Sequence, residues 1–481
     1  MASNNLNEDV GGYLHALREG STPFERFVAR RDIKDMVDVP TPRKQIDDAL
    51  LEFIDDTARD HACRLIPVLG SVGSGKTHSY WAYKDMEMKA REKGLPQWSI
   101  IYVPCPLPEM HMIHHMYTCI MDELGRDILQ ICAQNVVNRW AGKKDKAKKK
   151  YIDEIILKGL QEYPGSYADI VKVLAIYVLD KNLAQLAERW LFGETLSDKN
   201  LAALDVNFVL EEDDMCLAMI KILTAHSGRV FVFFFDDFFE NVGGNKNPKM
   251  EARFMGVLRT LYGELKNSVL ILTDNQENWP NTLALADSNL QSFMASPLEI
   301  QPFTVEDVKE YFAKSMQRYW RENNLPPPPD PLFPLNNTVL EILFDKTKGN
   351  PRNTVKLARV FVDKVVTGEV TLEDLATEQI PIQLTPEEQE ASKRGGSIKG
   401  AVSASKLPAS EAIEKLRKII RVSDRVPIPQ LAQVLRVDVT SLWDHVFEWA
   451  ERFRFRVDND ILVLKDGDIK AFLLELGKLV R

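Results

Sequence analysis

The sequence has few of the features that mark secreted or membrane-spanning proteins. Its 481 residues include only five cysteines, an odd number without a C-x-x-C pair, which favours reduced thiols over a disulfide framework. No apolar run is long enough to span a membrane. The first residues also lack the basic-then-apolar layout of a secretory signal. These absences predict a cytoplasmic protein that makes no contact with a membrane.

A strong bias of charge is missing as well. The formal net charge is −9, and 45 % of the residues are hydrophobic and 27 % charged, which is ordinary for a globular protein. A protein that binds nucleic acid over its whole surface would be basic, so any such contact must come from a local patch. The length of 481 residues predicts two to four domains.

One glycine-rich segment carries a specific motif. Residues 69–81 read LGSVGSGKTHSYW, and Gly70, Gly75, Lys76 and Thr77 fit G-x-x-x-x-G-K-[ST] in full. Glycines let backbone N–H groups turn toward phosphate oxygens, the lysine supplies charge to the β- and γ-phosphates, and the threonine can ligate Mg²⁺. The motif follows an apolar run and precedes a helical pattern, as a phosphate-binding loop must. The candidate nucleotide-binding residues are Gly70, Ser71, Val72, Gly73, Ser74, Gly75, Lys76, Thr77 and His78.

Short apolar runs alternate with longer amphipathic stretches over the first two thirds of the chain. Runs of this length, rich in β-branched and aromatic residues, predict strands of a parallel sheet buried on both faces. The alternation predicts an α/β fold, with residues 106–226 as a helical insertion between the second and third strands. The five runs are residues 64–69, 98–105, 229–235, 268–273 and 297–303.

Acidic residues follow the third run. Asp236 and Asp237 stand at the carboxyl end of that strand, the edge where ligands bind in open α/β sheets. A carboxylate there can hold Mg²⁺, usually through water, and a second one can orient or deprotonate an attacking water. We assign Asp236 to the metal and Asp237 to catalysis, with Glu240 as the alternative base.

Two further polar elements complete the candidate site. The residues that close the fourth run, TDN at 273–275, are polar. Asn275 is the first candidate to contact the γ-phosphate or the attacking water, with Thr273 and Asp274 as alternatives. The segment 349–351, Gly-Asn-Pro, predicts a turn into a helix, because proline suits the first helical turn. Arg352 would then point from a helix start toward the γ-phosphate and report hydrolysis to a helical lid.

These elements in this order resemble an AAA+ ATPase of the branch that holds the origin-recognition and cell-division-cycle initiators and their STAND relatives. The resemblance rests on GSVGSGKT, FFFDD, the polar strand end at 273–275 and GNPRNTVKLA, and it covers residues 37–375. Residues 37–54 resemble the family segment that wraps the adenine, which implies that Pro42, Arg43 and Gln45 lie beside the base. Arg253 and Arg259 are candidates for reaching the nucleotide of a neighbouring subunit.

The chain departs from the family in two places. AAA+ hydrolases usually end the third strand in Asp-Glu, whereas the Asp-Asp pair here is common in the STAND branch, whose members are often slow switches. The insertion is unusually long for an initiator, and its residues 188–206 resemble a segment of ATP-binding proteins from prokaryotic phage-defence loci. These departures keep a signalling or defence switch open as the alternative.

The C-terminal part has a composition of its own. Helix–turn–helix spacing followed by a hairpin pattern around residues 458–460 resembles a winged helix, which binds DNA in the initiators. Residues 411–481 hold thirteen Lys/Arg and twelve Asp/Glu, so there is no strong basic footprint. Asp444, Glu448 and Glu451 on the would-be recognition helix would repel phosphates. Duplex DNA and a protein partner therefore both remain open as its target.

The sequence thus predicts an ATP-binding and ATP-hydrolysing protein that uses Mg²⁺ and acts as a DNA-associated switch or remodeller. The alternative is a STAND-like signalling or phage-defence switch. Its winged helix would dock a protein partner, or the chain would self-associate. The predicted domains are an N-terminal segment (1–36), an ATPase core (37–303), a helical lid (304–384), a flexible linker (385–410) and a winged helix (411–481).

Overall fold

The computed structural model divides the chain into two compact units, residues 1–397 and 398–481, which are described separately. The structure describes residues 12–20, 23–24, 37–94, 97–106, 111–141, 149–164, 167–236, 238, 248–371, 374–375, 425–427, 456–458 and 461–463.

The first unit is built on a five-stranded sheet with the order β2-β3-β4-β1-β5, in which all strand pairs are parallel. Every residue of β3 and β4 is buried, as expected for strands covered on both faces. The predicted α/β fold with a parallel sheet is confirmed. The strands are β1 (Cys63–Leu69), β2 (Trp98–Pro104), β3 (Val230–Asp236), β4 (Ser268–Asp274) and β5 (Leu298–Glu299).

The fifth strand is shorter and more exposed than predicted. Only Leu298 and Glu299 pair, with Val68 and Leu69 of β1, and Glu299 is exposed. The strand lies at the edge of the sheet, and proline residues at 297 and 302 lack the N–H that would extend its hydrogen bonding. The prediction of a strand buried on both faces over 297–303 is therefore wrong.

Helices fill the connections between the strands and continue beyond the sheet. In chain order the described helices are α1 (12–19), α2 (Lys44–Asp60), α3 (Lys76–Glu92), α4 (Met112–Ala141), α5 (Lys149–Glu162), α6 (Ala168–Leu179), α7 (Ala184–Leu191), α8 (Asp198–Leu204), α9 (Asp213–His226), α10 (Pro248–Glu264), α11 (Trp279–Leu285), α12 (Ser288–Phe293), α13 (Val305–Glu322), α14 (Asn337–Thr347) and α15 (Pro351–Thr367).

The two faces of the sheet belong to different apolar clusters, because successive strand residues point to opposite sides. On one face, Phe231 and Phe233 pack with the helices of the insertion, α4 to α9. On the other face, Val232 and Phe234 pack with α2 and α3. The insertion is therefore part of the main core. Its first helix is broken at Gly125, whose φ is 63° and ψ −161°.

A separate apolar core, apart from the two clusters on the sheet, joins the helices α13, α14 and α15 to the N-terminal residues. Leu17 and Phe24 are buried among these helices. The Arg18 guanidinium donates to the carbonyl of Val366 at 2.8 Å, and the Tyr319 hydroxyl donates to the carbonyl of Ala16 at 2.7 Å. The sequence did not indicate this packing. It ties the N-terminal helix α1 to the helical region that follows the sheet.

The described part of the second unit is a three-stranded antiparallel sheet with the order β6-β8-β7. Its strands are β6 (Arg425–Pro427), β7 (Arg456–Asp458) and β8 (Ile461–Val463), and Asp458 pairs with Ile461. The strands of the predicted hairpin are thus antiparallel neighbours. The predicted linker and the predicted helices of the winged helix lie outside the described residues.

All five cysteines lie in the described part of the chain, and each is a free thiol. A search of the described helices finds none that combines the length and the apolar character needed to cross a membrane.

Candidate nucleotide-binding site

The sheet topology brings three segments of the chain to one edge. The glycine-rich loop follows β1, Asp236 ends β3, and Asn275 follows the last residue of β4. Because β4 lies between β1 and β3, Asn275 lies between the loop and Asp236. This is the carboxyl edge of a parallel sheet, where ligands of such folds bind.

The loop has the backbone shape that its glycines permit. Gly73 and Gly75 have φ values of +81° and +99°, in the left-handed region that other residues resist. Helix α3 begins at Lys76, directly after Gly75. The amide groups at the start of a helix are not used within it and carry partial positive charge, so they favour an anion in front of them. The loop is therefore suited to phosphate.

Lys76 is fixed over this loop. Its side chain is buried, and its ammonium group donates to the carbonyls of Gly70 at 3.0 Å and Ser71 at 3.3 Å. It also donates to the amide oxygen of Asn275 at 2.8 Å. The structure thus places the cation of the loop and the polar residue after β4 side by side.

Asp236 is held by three hydroxyl groups. Its carboxylate is 1 % exposed. Thr77 and Tyr102 donate to Oδ2 at 2.7 Å and 3.0 Å, and Thr273 donates to Oδ1 at 2.7 Å. These hydrogen bonds offset the cost of burying a carboxylate away from water. The carboxylate therefore has a fixed orientation next to the first turn of α3.

The residues around Asp236 fit a magnesium ion. Mg²⁺ prefers oxygen ligands and commonly keeps several waters while it binds one or two carboxylates and substrate phosphates. Thr77 gives its proton to Asp236, which leaves lone pairs of its oxygen for a cation. Thr77 would hold the ion directly, and Asp236 would hold it through water.

The two alternatives to Asn275 have structural partners. The Thr273 hydroxyl donates a hydrogen bond to the Asp236 carboxylate. The carboxylate of Asp274 accepts from the backbone N–H of Asn275 at 2.7 Å and from the Thr282 hydroxyl at 2.6 Å. Burial raises the pKa of Asp274 above its ordinary value, and these hydrogen bonds oppose the shift. Asn275 is the one of the three whose side chain contacts Lys76.

The start of helix α15 rests directly on the loop. The Asn350 side chain caps the helix by accepting from the N–H of Asn353, and its amide donates to the carbonyl of Val72 at 2.8 Å. The N–H of Arg352 donates to the carbonyl of Gly73 at 3.2 Å. Arg352 therefore stands at a helix start over the loop, as the Gly-Asn-Pro pattern predicted.

Helix α15 also carries a second cation near this point. Lys356 lies one turn after Arg352, and partial burial together with the charge of Arg352 lowers the pKa of Lys356. Two cations on one helix face repel each other unless an anion lies nearby. Of the two, Arg352 lines the cavity described below, and Lys356 adds positive charge one turn further along the helix.

An apolar cavity opens beside the loop. Its walls include Pro42 and Arg43, two of the three residues expected beside the base, together with Val39, Ile300 and Tyr311. The third, Gln45, is exposed and does not line the cavity. Apolar side chains at one end and the phosphate-binding loop at the other suit a molecule with a flat base and a phosphate tail. The cavity thus lies between residues 37–43, the loop and the start of α15.

Arg43 is already paired, which the sequence did not indicate. Its guanidinium donates to both carboxylate oxygens of Asp38, at 2.6 Å and 2.7 Å, and the His78 Nε2 lies 3.0 Å from Oδ1 of the same group. Burial raises the pKa of Asp38, but the hydrogen bonds from Arg43 and His78 outweigh it and leave the pKa below its usual value. Arg43 and His78 therefore shape the wall of the cavity through Asp38.

Other candidates are less well placed or lie outside the described residues. Asp237 and Glu240, the candidate bases, belong to the part of the chain that the structure does not describe. Arg253 lies 3.7 Å from the carboxylate of Asp213, and Arg259 forms an ion pair with Asp287 at 2.8 Å. Both arginines thus have acidic partners within their own chain.

The contact between α15 and the loop leads to a test at Gly73. A Cβ at this position would lie 2.8 Å from Cβ of Arg352 and 2.9 Å from Oδ1 of Asn350, and its φ is +81°. We expect Gly73→Ala to push α15 off the loop and to weaken nucleotide binding by about tenfold or more. Nucleotide titration by calorimetry measures the effect.

Gly94→Ala is the matched control for Gly73→Ala. Gly94 also has a positive φ, +67°, but a Cβ there meets no atom within 4 Å. It shares the backbone strain and lacks the clash with α15, so its nucleotide affinity should stay at the unmodified level. Equal losses in the two variants would mean that strain, and not the contact with α15, governs binding.

Comparisons with known proteins find likeness only among solved structures. No protein-family model matches the chain. No curated protein matches it either. Among the structural neighbours is the ORC1 protein of Aeropyrum pernix in complex with DNA, 10 % identical, with a TM-score of 0.35 over 96 % of this chain and 98 % of that one.

Two other neighbours are of the same kind. The Drosophila ORC bound to DNA is 12 % identical, with a TM-score of 0.38 over 98 % of this chain and all of the other. The Cdc6p protein of Pyrobaculum aerophilum is 12 % identical, with a TM-score of 0.33 over 94 % and 97 % of the two chains. All three TM-scores lie below 0.5, too low to support a statement about fold or activity.

The loop and the strand ends of the first unit together define its fold. The glycine-rich loop joins the end of β1 to a helix, and polar residues follow β3 and β4 at the same edge of a parallel sheet. The first unit of this chain has the fold of a P-loop NTPase.

Proposed function

We propose that the protein binds ATP with Mg²⁺ and hydrolyses it, and that it acts as a nucleotide-driven switch associated with duplex DNA. One observation carries the nucleotide part of the proposal. Two adjacent residues of the loop are hydrogen-bonded to the ends of two neighbouring strands at the carboxyl edge of the sheet: Lys76 to Asn275, after β4, and Thr77 to Asp236, at the end of β3.

Each residue of this set has a distinct part in the proposal. The loop amides and Lys76 bind the phosphates. Thr77 and Asp236 hold Mg²⁺, which when bound neutralises charge on the phosphate oxygens. Asn275 lies beside Lys76, so it orients the γ-phosphate or the water next to it. Asp237, with Glu240 as the alternative, is proposed as the base that takes the proton of the attacking water.

Arg352 links the nucleotide to the rest of the molecule in this proposal. The start of α15 contacts the loop through Asn350 and through the backbone of Arg352. Loss of the γ-phosphate removes the anion in front of Arg352 and weakens this contact. The helices α13 to α15 and the N-terminal helix α1 share one core, so they would respond together.

The association with DNA is supported by the pattern of residues 411–481. Helix–turn–helix spacing precedes the pair β7 and β8, which are antiparallel neighbours separated by two residues. The nearly equal numbers of acidic and basic residues in this segment predict a modest affinity that is best measured at low salt.

The test is the rate of ATP turnover by the full chain, with and without duplex DNA at low salt. We expect turnover that DNA increases several-fold, and the Lys76→Ala chain serves as the blank. A rate that DNA leaves unchanged, together with no DNA binding at low salt, would contradict the DNA-associated switch. The winged-helix pattern would then be tested against protein partners.

A further inference from the structure

We infer that Tyr102 is a positioning residue of the cation site, and that its hydroxyl sets the orientation of Asp236 for Mg²⁺. The inference rests on the proposed function, because it concerns the same site. The phosphate-binding loop and the strand ends predicted from the sequence do not include Tyr102, which lies within β2.

The position of Tyr102 follows from the strand register. Tyr102 pairs with Phe234 of β3, and Asp236 stands two residues further along β3. Residues two apart in a strand share a face, so Phe234 and Asp236 lie on the same side of the sheet. The long tyrosine side chain spans this offset, and its hydroxyl donates to Oδ2 of Asp236 at 3.0 Å.

The ring of Tyr102 has little freedom to move. It stacks on Phe234 with a centroid distance of 6.1 Å and an interplanar angle of 18°, and it meets Tyr80 at 5.0 Å. The residue is 5 % exposed. The hydroxyl is therefore a donor with a fixed position, unlike a hydroxyl on a flexible surface side chain.

The three donors to Asp236 have unequal roles. Thr77 is itself the proposed ligand of the ion, so its hydroxyl serves both the carboxylate and the cation. Thr273 donates to the other oxygen, Oδ1. Tyr102 shares Oδ2 with Thr77, so these two donors together fill one side of the carboxylate. Without Tyr102 the carboxylate can rotate, and its geometry toward the ion becomes less defined.

Tyr102→Phe is the direct test, because it removes one oxygen atom and keeps the ring. The affinity of the full-length chain for ATP is measured by calorimetry with Mg²⁺ and again in excess EDTA, and the ratio gives the gain due to the ion. We expect the variant to lower this gain about three- to tenfold, the usual range for the net contribution of one hydrogen bond, with the EDTA value unchanged.

Tyr80→Phe is the matched control. Tyr80 belongs to the same ring cluster, but its hydroxyl donates to Glu123 at 2.9 Å. Its removal should leave the gain due to Mg²⁺ at the unmodified level. An equal loss in both variants would assign the effect to packing and overturn the inference.

The remaining outcomes separate the inference from the proposed function. An unmodified chain that binds no ATP in either condition contradicts the proposed function itself. If that chain binds ATP and Tyr102→Phe keeps the full gain from Mg²⁺, the inference is wrong and the function stands. A Tyr102→Phe chain that does not fold would make Tyr102 a structural residue, which also overturns the inference.

Discussion

Replacing Lys76 with alanine is expected to lower nucleotide affinity by about 100-fold or more, with turnover lost in proportion. The ammonium group is buried over the loop and held by Gly70, Ser71 and Asn275. A charge with so little access to water interacts strongly with a phosphate, and a methyl group cannot replace it. Calorimetric titration with ATP and a phosphate-release assay measure the two effects.

Lys89→Ala is the control for Lys76→Ala. Lys89 lies on the same helix α3, in its last turn, and is exposed. Its removal takes away one positive charge without touching the loop, so affinity should change less than twofold. If Lys76→Ala bound ATP as the unmodified chain does, the loop would not be the phosphate site.

Asp236→Asn is expected to give the second large effect, a fall in turnover of about 100-fold. The amide has nearly the same shape as the carboxylate but lacks its charge, so the magnesium ion loses its anionic partner. One amide oxygen also cannot accept from all three hydroxyl groups that now face the carboxylate, those of Thr77, Tyr102 and Thr273. We expect a stability loss of about 1–3 kcal/mol in the free energy of unfolding.

Nucleotide binding in EDTA is the internal control for Asp236→Asn. Without a divalent ion the loop and Lys76 still bind the phosphates, so affinity should remain within about threefold of the unmodified chain. Chemical denaturation gives the change in stability separately. If the variant kept normal turnover, Asp236 would not hold the magnesium ion. The acidic residues that follow it in the chain would then be the next candidates.

The sequence predicted the centre of the fold well. Four of the five strands lie within two residues of the apolar runs, since short β-branched and aromatic runs between turns are strong local signals. The start of α15 at Pro351 also followed from a local pattern. The fifth strand was predicted too long, because only two of its residues pair with β1 at the edge of the sheet.

The insertion shows where local patterns become ambiguous. Residues 167–191 have a helical pattern throughout, yet the structure has α6 and α7 with a turn between them. The side chain of Asp180 accepts from the N–H of Asn182 and stabilises that turn. Such a break has a weak signal in a sequence because one aspartate and one asparagine are also common on helix surfaces.

The local amino-acid sequence was enough to predict the glycine-rich loop, the parallel sheet and the polar residues at its carboxyl edge. Each depends on residues close together in the chain, where spacing and periodicity are fixed by backbone geometry. The side chains that hold these elements in place became visible only in the folded chain. Tyr102 reaches Asp236 over 134 positions, Asn350 reaches Val72 over 278, and α1 reaches α15 through Arg18 and Val366 over 348. Contacts over such distances leave no periodic trace in one sequence, because they depend on how the packed layers bring remote segments together.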